Sequence, residues 1–128
     1  ILLLVGCVGE GGRPREPSAE QVYETAALAL VILDNAEATY LRAVEIPTEK
    51  QLSASELRIS YLKQARDALA MARDAIVADE RQQWLSLATG LLSSALKEAD
   101  VGAVPVPDEV RAVLRTLQLW RNARGQPP

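Results

Sequence analysis

Apolar residues recur at helical spacing along most of the chain, and what interrupts them divides it into four stretches. The first opens at "SAEQ", where Ser18 and Gln21 form a capping-box pattern, and runs to about Glu45. Pro47 closes it, because the residue before a proline is driven out of the α region. Val22, Ala26, Leu30, Leu33, Tyr40 and Val44 make its stripe, and Leu28, Val31, Ile32 and Leu41 widen that stripe past half the circumference. A helix so apolar in its middle is expected at the centre of a bundle, covered on several sides. It is too short in its apolar run to cross a membrane, since "AALALVIL" is closed by Asp34 and Asn35.

The second stretch is expected to begin near Ser53 or Ser55, with "SASE" as its capping box, and to end about Ala78. Leu62, Ala65, Leu69, Ala72 and Ile76 form a seam in which small residues admit a close neighbour. Arg66, Asp67, Arg73 and Asp74 lie off that seam and read as solvated ion pairs. "DERQ", Asp79 to Gln82, is expected to cap a third helix to about Ala99, with Trp84, Ala88, Leu91, Leu92, Ala95 and Ala99 inward. Its mid-helix Gly90 implies a packing contact, expected with the Ala-rich second helix. After a Gly/Pro loop, Pro107 or Asp108 starts a fourth helix to about Ala123, with Val110, Val113, Leu117 and Trp120 on one face. The fold expected is all-α: an up-down bundle of four helices, with a three-helix core crossed by the last helix as its rival.

Outside those stretches the chain changes character. Residues 1–6 are mostly apolar, residues 7–17 hold the lone Cys7 and then glycines, prolines and charges that read as a flexible linker, 18–123 is the bundle, and 124–128 a disordered tail. Composition agrees with helices: the 128 residues are rich in Ala and Leu, with no Phe, two Trp and three Tyr.

Charge and chemistry narrow the function classes. A net charge of -3 argues against a general nucleic-acid binder. Residues 18 to 45 carry Glu20, Glu24, Asp34, Glu37 and Glu45 against Arg42, while the C-terminal segment carries Arg111, Arg115, Arg121 and Arg124 against Asp108 and Glu109. These read as solvated faces that suit the helix dipoles, or as docking faces for charged partners. The chain has no His, which removes the Ser-His-Asp and Cys-His arrangements and the commonest metal ligand. Asp34 and Glu37 share a helix face, but a di-iron bundle needs Glu-x-x-His motifs, so they read as surface acids. No catalytic residue, metal site or cofactor is expected, and Trp84 and Trp120 read as core.

Leu4-Val5-Gly6-Cys7 resembles a bacterial lipobox, with Ile1 to Val5 as the tail of a signal-peptide h-region. The resemblance implies lipidation of Cys7 and removal of residues 1–6. It also implies a membrane attachment facing the periplasm, with Val8 in place of Asp implying passage to the outer membrane where the host is Gram-negative. "LSASE", "QARDALAMARDAI" and "LATGLLSSAL" resemble small helical lipoproteins of phage and prophage genomes, which carries over no functional residue. The function expected is that of a non-catalytic lipid-anchored protein of the bacterial envelope, binding an envelope or phage protein. The alternatives are a soluble small-ligand binder with the tryptophans as pocket lining, and a homo-oligomer built on the second-helix seam.

Overall fold

Ser18 and Thr48 start the first two helices by the same device. In each, a proline precedes the cap, the cap hydroxyl accepts from the backbone N–H three residues on (3.1 Å), and the Gln there accepts the cap's own N–H (2.9 Å). Each such cap contributes about 1 kcal/mol. A computed structural model describes residues 17–123, in which α1 spans Ala19–Ala43, α2 Glu49–Asp74, α3 Ala78–Val101 and α4 Asp108–Ala123.

Short connections return each helix against the one before it, so the arrangement is an up-down four-helix bundle. Around the bundle α1 packs on α2, α2 on α3, α3 on α4 and α4 back on α1, with α1 and α3 also touching across the diagonal. The fourth helix, packed on α1 and α3, is thus a full member of the bundle. The core joins Leu30, Leu33, Leu62, Leu69, Leu85, Leu92, Leu114, Leu117 and Trp120 through many buried alanines, whose small side chains bring the helix axes close.

Several boundaries and faces differ from expectation. α2 begins at Glu49 under the cap Thr48, upstream of Ser53, because "TEKQ" and not "SASE" is its capping box. It ends at Asp74, so Ile76, expected as the last seam residue, lies in the connection and is 94% exposed. There the Arg81 guanidinium donates to the Ala75 carbonyl at 2.7 Å and ties the turn together. α3 starts from Val77 with no side-chain cap, leaving Asp79 and Glu80 in its first turn to complement the dipole. Within α3, Leu85 is fully buried, while Trp84 and Leu91 are only half-buried against the core. Gly90 faces α4 instead of α2: a Cβ there would stand 3.1 Å from Nη1 of Arg121. Ser93, in the same row, accepts from Gln118 of α4 at 2.6 Å. Leu28 and Val31, expected to be covered, are 41% and 53% exposed.

The end of α3 carries a further irregularity. The Val104 N–H reaches the Ala99 carbonyl and the Ala103 N–H that of Asp100, which is a Schellman arrangement with Ala103 at the left-handed position (φ 56°). Glycine usually occupies that place, but here the glycine stands one residue earlier, at Gly102. A Cβ on Gly102 would meet Nη1 of the buried Arg58 at 2.7 Å, so the close approach holds the glycine there. Ala103→Gly is expected to stabilise the fold by about 0.5–1 kcal/mol, because a left-handed cost of about 1–2 kcal/mol is relieved and partly offset by a more flexible unfolded chain. A higher urea midpoint at unchanged slope checks it.

Candidate functional site

Glu37, Ser55 and Arg58 are expected on a soluble bundle's surface by residue type, yet they lie in its interior, 5%, 3% and 2% exposed. From α2, Arg58 Nε donates to Glu37 Oε1 at 2.5 Å and Nη2 donates to Oε2 at 3.0 Å, a two-point pairing across to α1. The Ser55 hydroxyl donates to Oε2 at 2.7 Å, and the ring of Tyr40 lies 5.4 Å from Arg58 Cζ. Arg58 Nη1 approaches Gly102 at the carboxyl end of α3, where the helix dipole favours a cation. The void beside the pair, walled by Leu33, Leu62, Ala95 and Val104, is about 10 Å³, scarcely room for one water. With its carboxylate paired three ways and no open cavity, this cluster is built to hold helices together; it offers no reacting group to a substrate. Its presence corrects the expectation that Glu37 is a surface acid.

Two open clefts adjoin at the end of the bundle where Pro17 enters. A cleft of 340 Å³ between α1, α2 and α3 is bordered by Glu20, Tyr23, Glu24, Arg73 and Arg81. A neighbouring cleft of 240 Å³ shares Arg81 and adds Ser18, Gln82 and Trp120. Arg73 is held cationic chiefly by its hydrogen bond to Asp74 (3.2 Å) and the charge of that carboxylate, with Tyr23 assisting. Of the two tryptophans, Trp120 therefore borders a cleft while 7% exposed, and Trp84 borders neither of these two.

The charged faces are more internally committed than their composition implied. On α1, Asp34 pairs with Arg66 of α2 and Glu37 is buried, which leaves Glu20 and Glu24 exposed. On α4, Arg111 makes a forked pair with Asp100 of α3 (2.5 and 2.7 Å), and Arg121 lies over Gly90. Arg115 remains exposed, in a 340 Å³ groove with Lys97 and the Arg111–Asp100 pair. Arg124 lies outside the described residues.

The hydrogen bonds from Arg111 hold the Asp100 carboxyl below the usual carboxylate range, against the opposing effect of partial burial. A carboxylate depressed on folding stabilises above its unfolded value of about 3.9 and loses that contribution as pH falls through the depressed value. Asp100→Asn is accordingly expected to lower the urea midpoint slightly at pH 7, with the difference from wild type vanishing as pH falls through the depressed value. The side chains are 46% and 35% exposed, so the effect is small and shrinks with added salt.

Among the described residues no group of three His, Cys, Asp or Glu is placed to hold a metal ion, and no helix is long and apolar enough to cross a membrane. Leu4, Val5, Gly6 and Cys7 lie outside the described residues. No protein-family profile, curated protein or solved structure matches the chain.

Proposed function

We propose that this chain is a lipid-anchored helical protein of the bacterial envelope, held to the membrane through Cys7 and acting by binding another protein. The observation that carries the reading is Leu4-Val5-Gly6-Cys7 with the unique cysteine at its end, followed by a segment of glycines, prolines and charges up to the cap of α1. Each acyl methylene buried in the bilayer contributes about 0.8 kcal/mol, and more than one chain makes attachment stable. The segment from Val8 to Pro17 spans at most about 33–36 Å, which keeps the entry end of the bundle near the surface. That end carries both clefts, and the exposed Glu20, Glu24 and Arg73 offer charged contacts to a partner. Residence on the periplasmic side of the outer membrane, and a phage origin, belong to the same proposal.

The test is the intact mass of the protein from bacterial membranes, expressed with whatever reading frame precedes Ile1, beside Cys7→Ala. The expected result is a chain that begins at Cys7 with added acyl mass in the wild type, and an unmodified chain absent from membranes in the variant. Retention of the residues before Cys7, with both proteins in the soluble fraction, would overturn the proposal. In that case the Trp120 cleft supports the second reading, a soluble small-ligand binder, for which ligand-dependent quenching of tryptophan fluorescence is the expected signature.

A further inference from the structure

On α1, Glu24, Leu28, Val31, Asn35, Ala38 and Arg42 follow one another at spacings of 4, 3, 4, 3 and 4, and all six are exposed. The stripe is a seam of the coiled-coil kind with no helix laid on it, opposite the one that faces the core. Leu28 and Val31 stand at 41% and 53% exposure on it. It does not end abruptly at α1. Leu52 and Ile59 of α2 lie fourteen and seven residues before Arg66, whose guanidinium reaches Asp34 on α1. They therefore border the same side of the molecule, at 44% and 45% exposure.

The order of residues along the stripe identifies its occupant. About a two-fold axis midway between Val31 and Asn35, an antiparallel copy would place Glu24 opposite the partner's Arg42, Leu28 opposite the partner's Ala38, and Val31 opposite the partner's Asn35. Each layer then joins opposite charges, or a large residue to a small or compact one, and the symmetry makes every layer twice. In a parallel pairing Glu24 would meet Glu24, Arg42 would meet Arg42 and the two leucines would collide. Neither Glu24 nor Arg42 takes part in an ion pair among the described residues, so both are available for such contacts. A lipid surface fits the stripe poorly: a helix lying on a bilayer carries a basic polar face, whereas outside the core α1 has Glu20, Glu24 and Asp34 against Arg42.

We propose that the exposed seam of α1 binds a second copy of this chain, antiparallel, in a two-fold dimer closed at each end by a Glu24–Arg42 pair. Asn35 at the centre fixes the register, as a lone polar seam residue does in coiled coils. Because one helix face is smaller than a standard interface of about 800 Å² per partner, the dimer is weak and reversible. It does not depend on lipidation of Cys7. Of the seam expected from the sequence to build an oligomer, Leu62, Ala65, Leu69 and Ala72 of α2 are buried inside the bundle, and its fifth residue, Ile76, lies in the connection.

The experiment is sedimentation equilibrium on the full 128-residue chain, unlipidated and with reductant to prevent a Cys7 disulfide, from about 10 μM to about 1 mM, where weak dimers populate. The weight-average mass of the wild type is expected to rise from 13.9 kDa toward twice that value. Glu24→Arg and Arg42→Glu are each expected to stay near the monomer mass with unchanged helicity, since each places like charges at both ends. An equimolar mixture of the two variants regains the doubled mass, because both end contacts of the mixed pair then join opposite charges. A wild type that stays at the monomer mass would overturn the proposal, as would single variants that dimerise like the wild type, or a mixture that fails to recover. Co-sedimentation of a monomeric wild type with phosphatidylcholine–phosphatidylglycerol vesicles would assign the face to lipid instead.

Discussion

Arg58→Leu is expected to destabilise the fold by about 3–5 kcal/mol, the usual penalty for leaving one member of a buried ion pair without its partner. The size follows from what Glu37 keeps. At 5% exposure its carboxylate loses both bonds from Arg58 and retains only the Ser55 hydroxyl. Water has little access, because the adjoining void holds scarcely one molecule. The double variant Glu37→Met/Arg58→Leu is expected to recover most of the loss, since well-packed apolar replacements of buried pairs are often neutral or better. Urea titration of the wild type, Arg58→Leu and the double variant at pH 7 measures this. A double variant as unstable as the single one would show that the pair is worth more than its desolvation cost. In that event the Tyr40 ring and the α3 terminus beside Gly102 are the groups that make the difference.

The same cluster shows where the sequence stops being legible. The core stripe of α1 reads Val22, Ala26, Leu30, Leu33 and then Tyr40, and the slot between the last two is Glu37. In α2 the seam Leu62, Ala65, Leu69, Ala72 extends backward at the same spacing through Arg58 to Ser55. Read by residue type, an acid and an arginine belong at the surface. Read by position, both occupy core slots on successive helices, and opposite charges in such slots are the signal of a buried pair. Periodicity held, and the inference from polarity failed.

Connections follow the same logic. Ser18 with Gln21 was readable because Pro17 and a linker precede it. The equivalent Thr48 with Gln51 was hidden by the competing "SASE", whose Ser55 turns inward to Glu37. Where α2 stops at Asp74, "AIVA" contains no glycine, proline or polar breaker, so nothing local announces the turn that leaves Ile76 exposed. That turn is held from a distance, by Arg81 on the Ala75 carbonyl. Leu28 and Val31 of α1 are legible as apolar positions but not as exposed ones, because hydropathy alone does not say whether a neighbouring helix lies on them.

Leu92→Ala is expected to cost about 3–5 kcal/mol, in the upper part of the range for buried leucines. Leu92 is fully buried on α3, which like α1 packs on all three other helices, and Ala88 and Ala95 flank it within the core. The cost of such a deletion depends on how far the surroundings collapse into the space, and alanine has no side-chain rotation with which to fill it. A core assembled from leucines set among alanines thus gains close helix approach at the expense of tolerance. Leu119→Ala removes the same atoms from α4 at 63% exposure, and is expected to change stability by no more than about 0.5 kcal/mol. Thermal or urea unfolding of the two variants side by side separates burial from helix propensity, since both exchange leucine for alanine inside a helix. If Leu92→Ala cost as little as Leu119→Ala, α3 would not be packed at the depth described, and the ion pair of Glu37 with Arg58 would have to carry the specificity of the bundle alone.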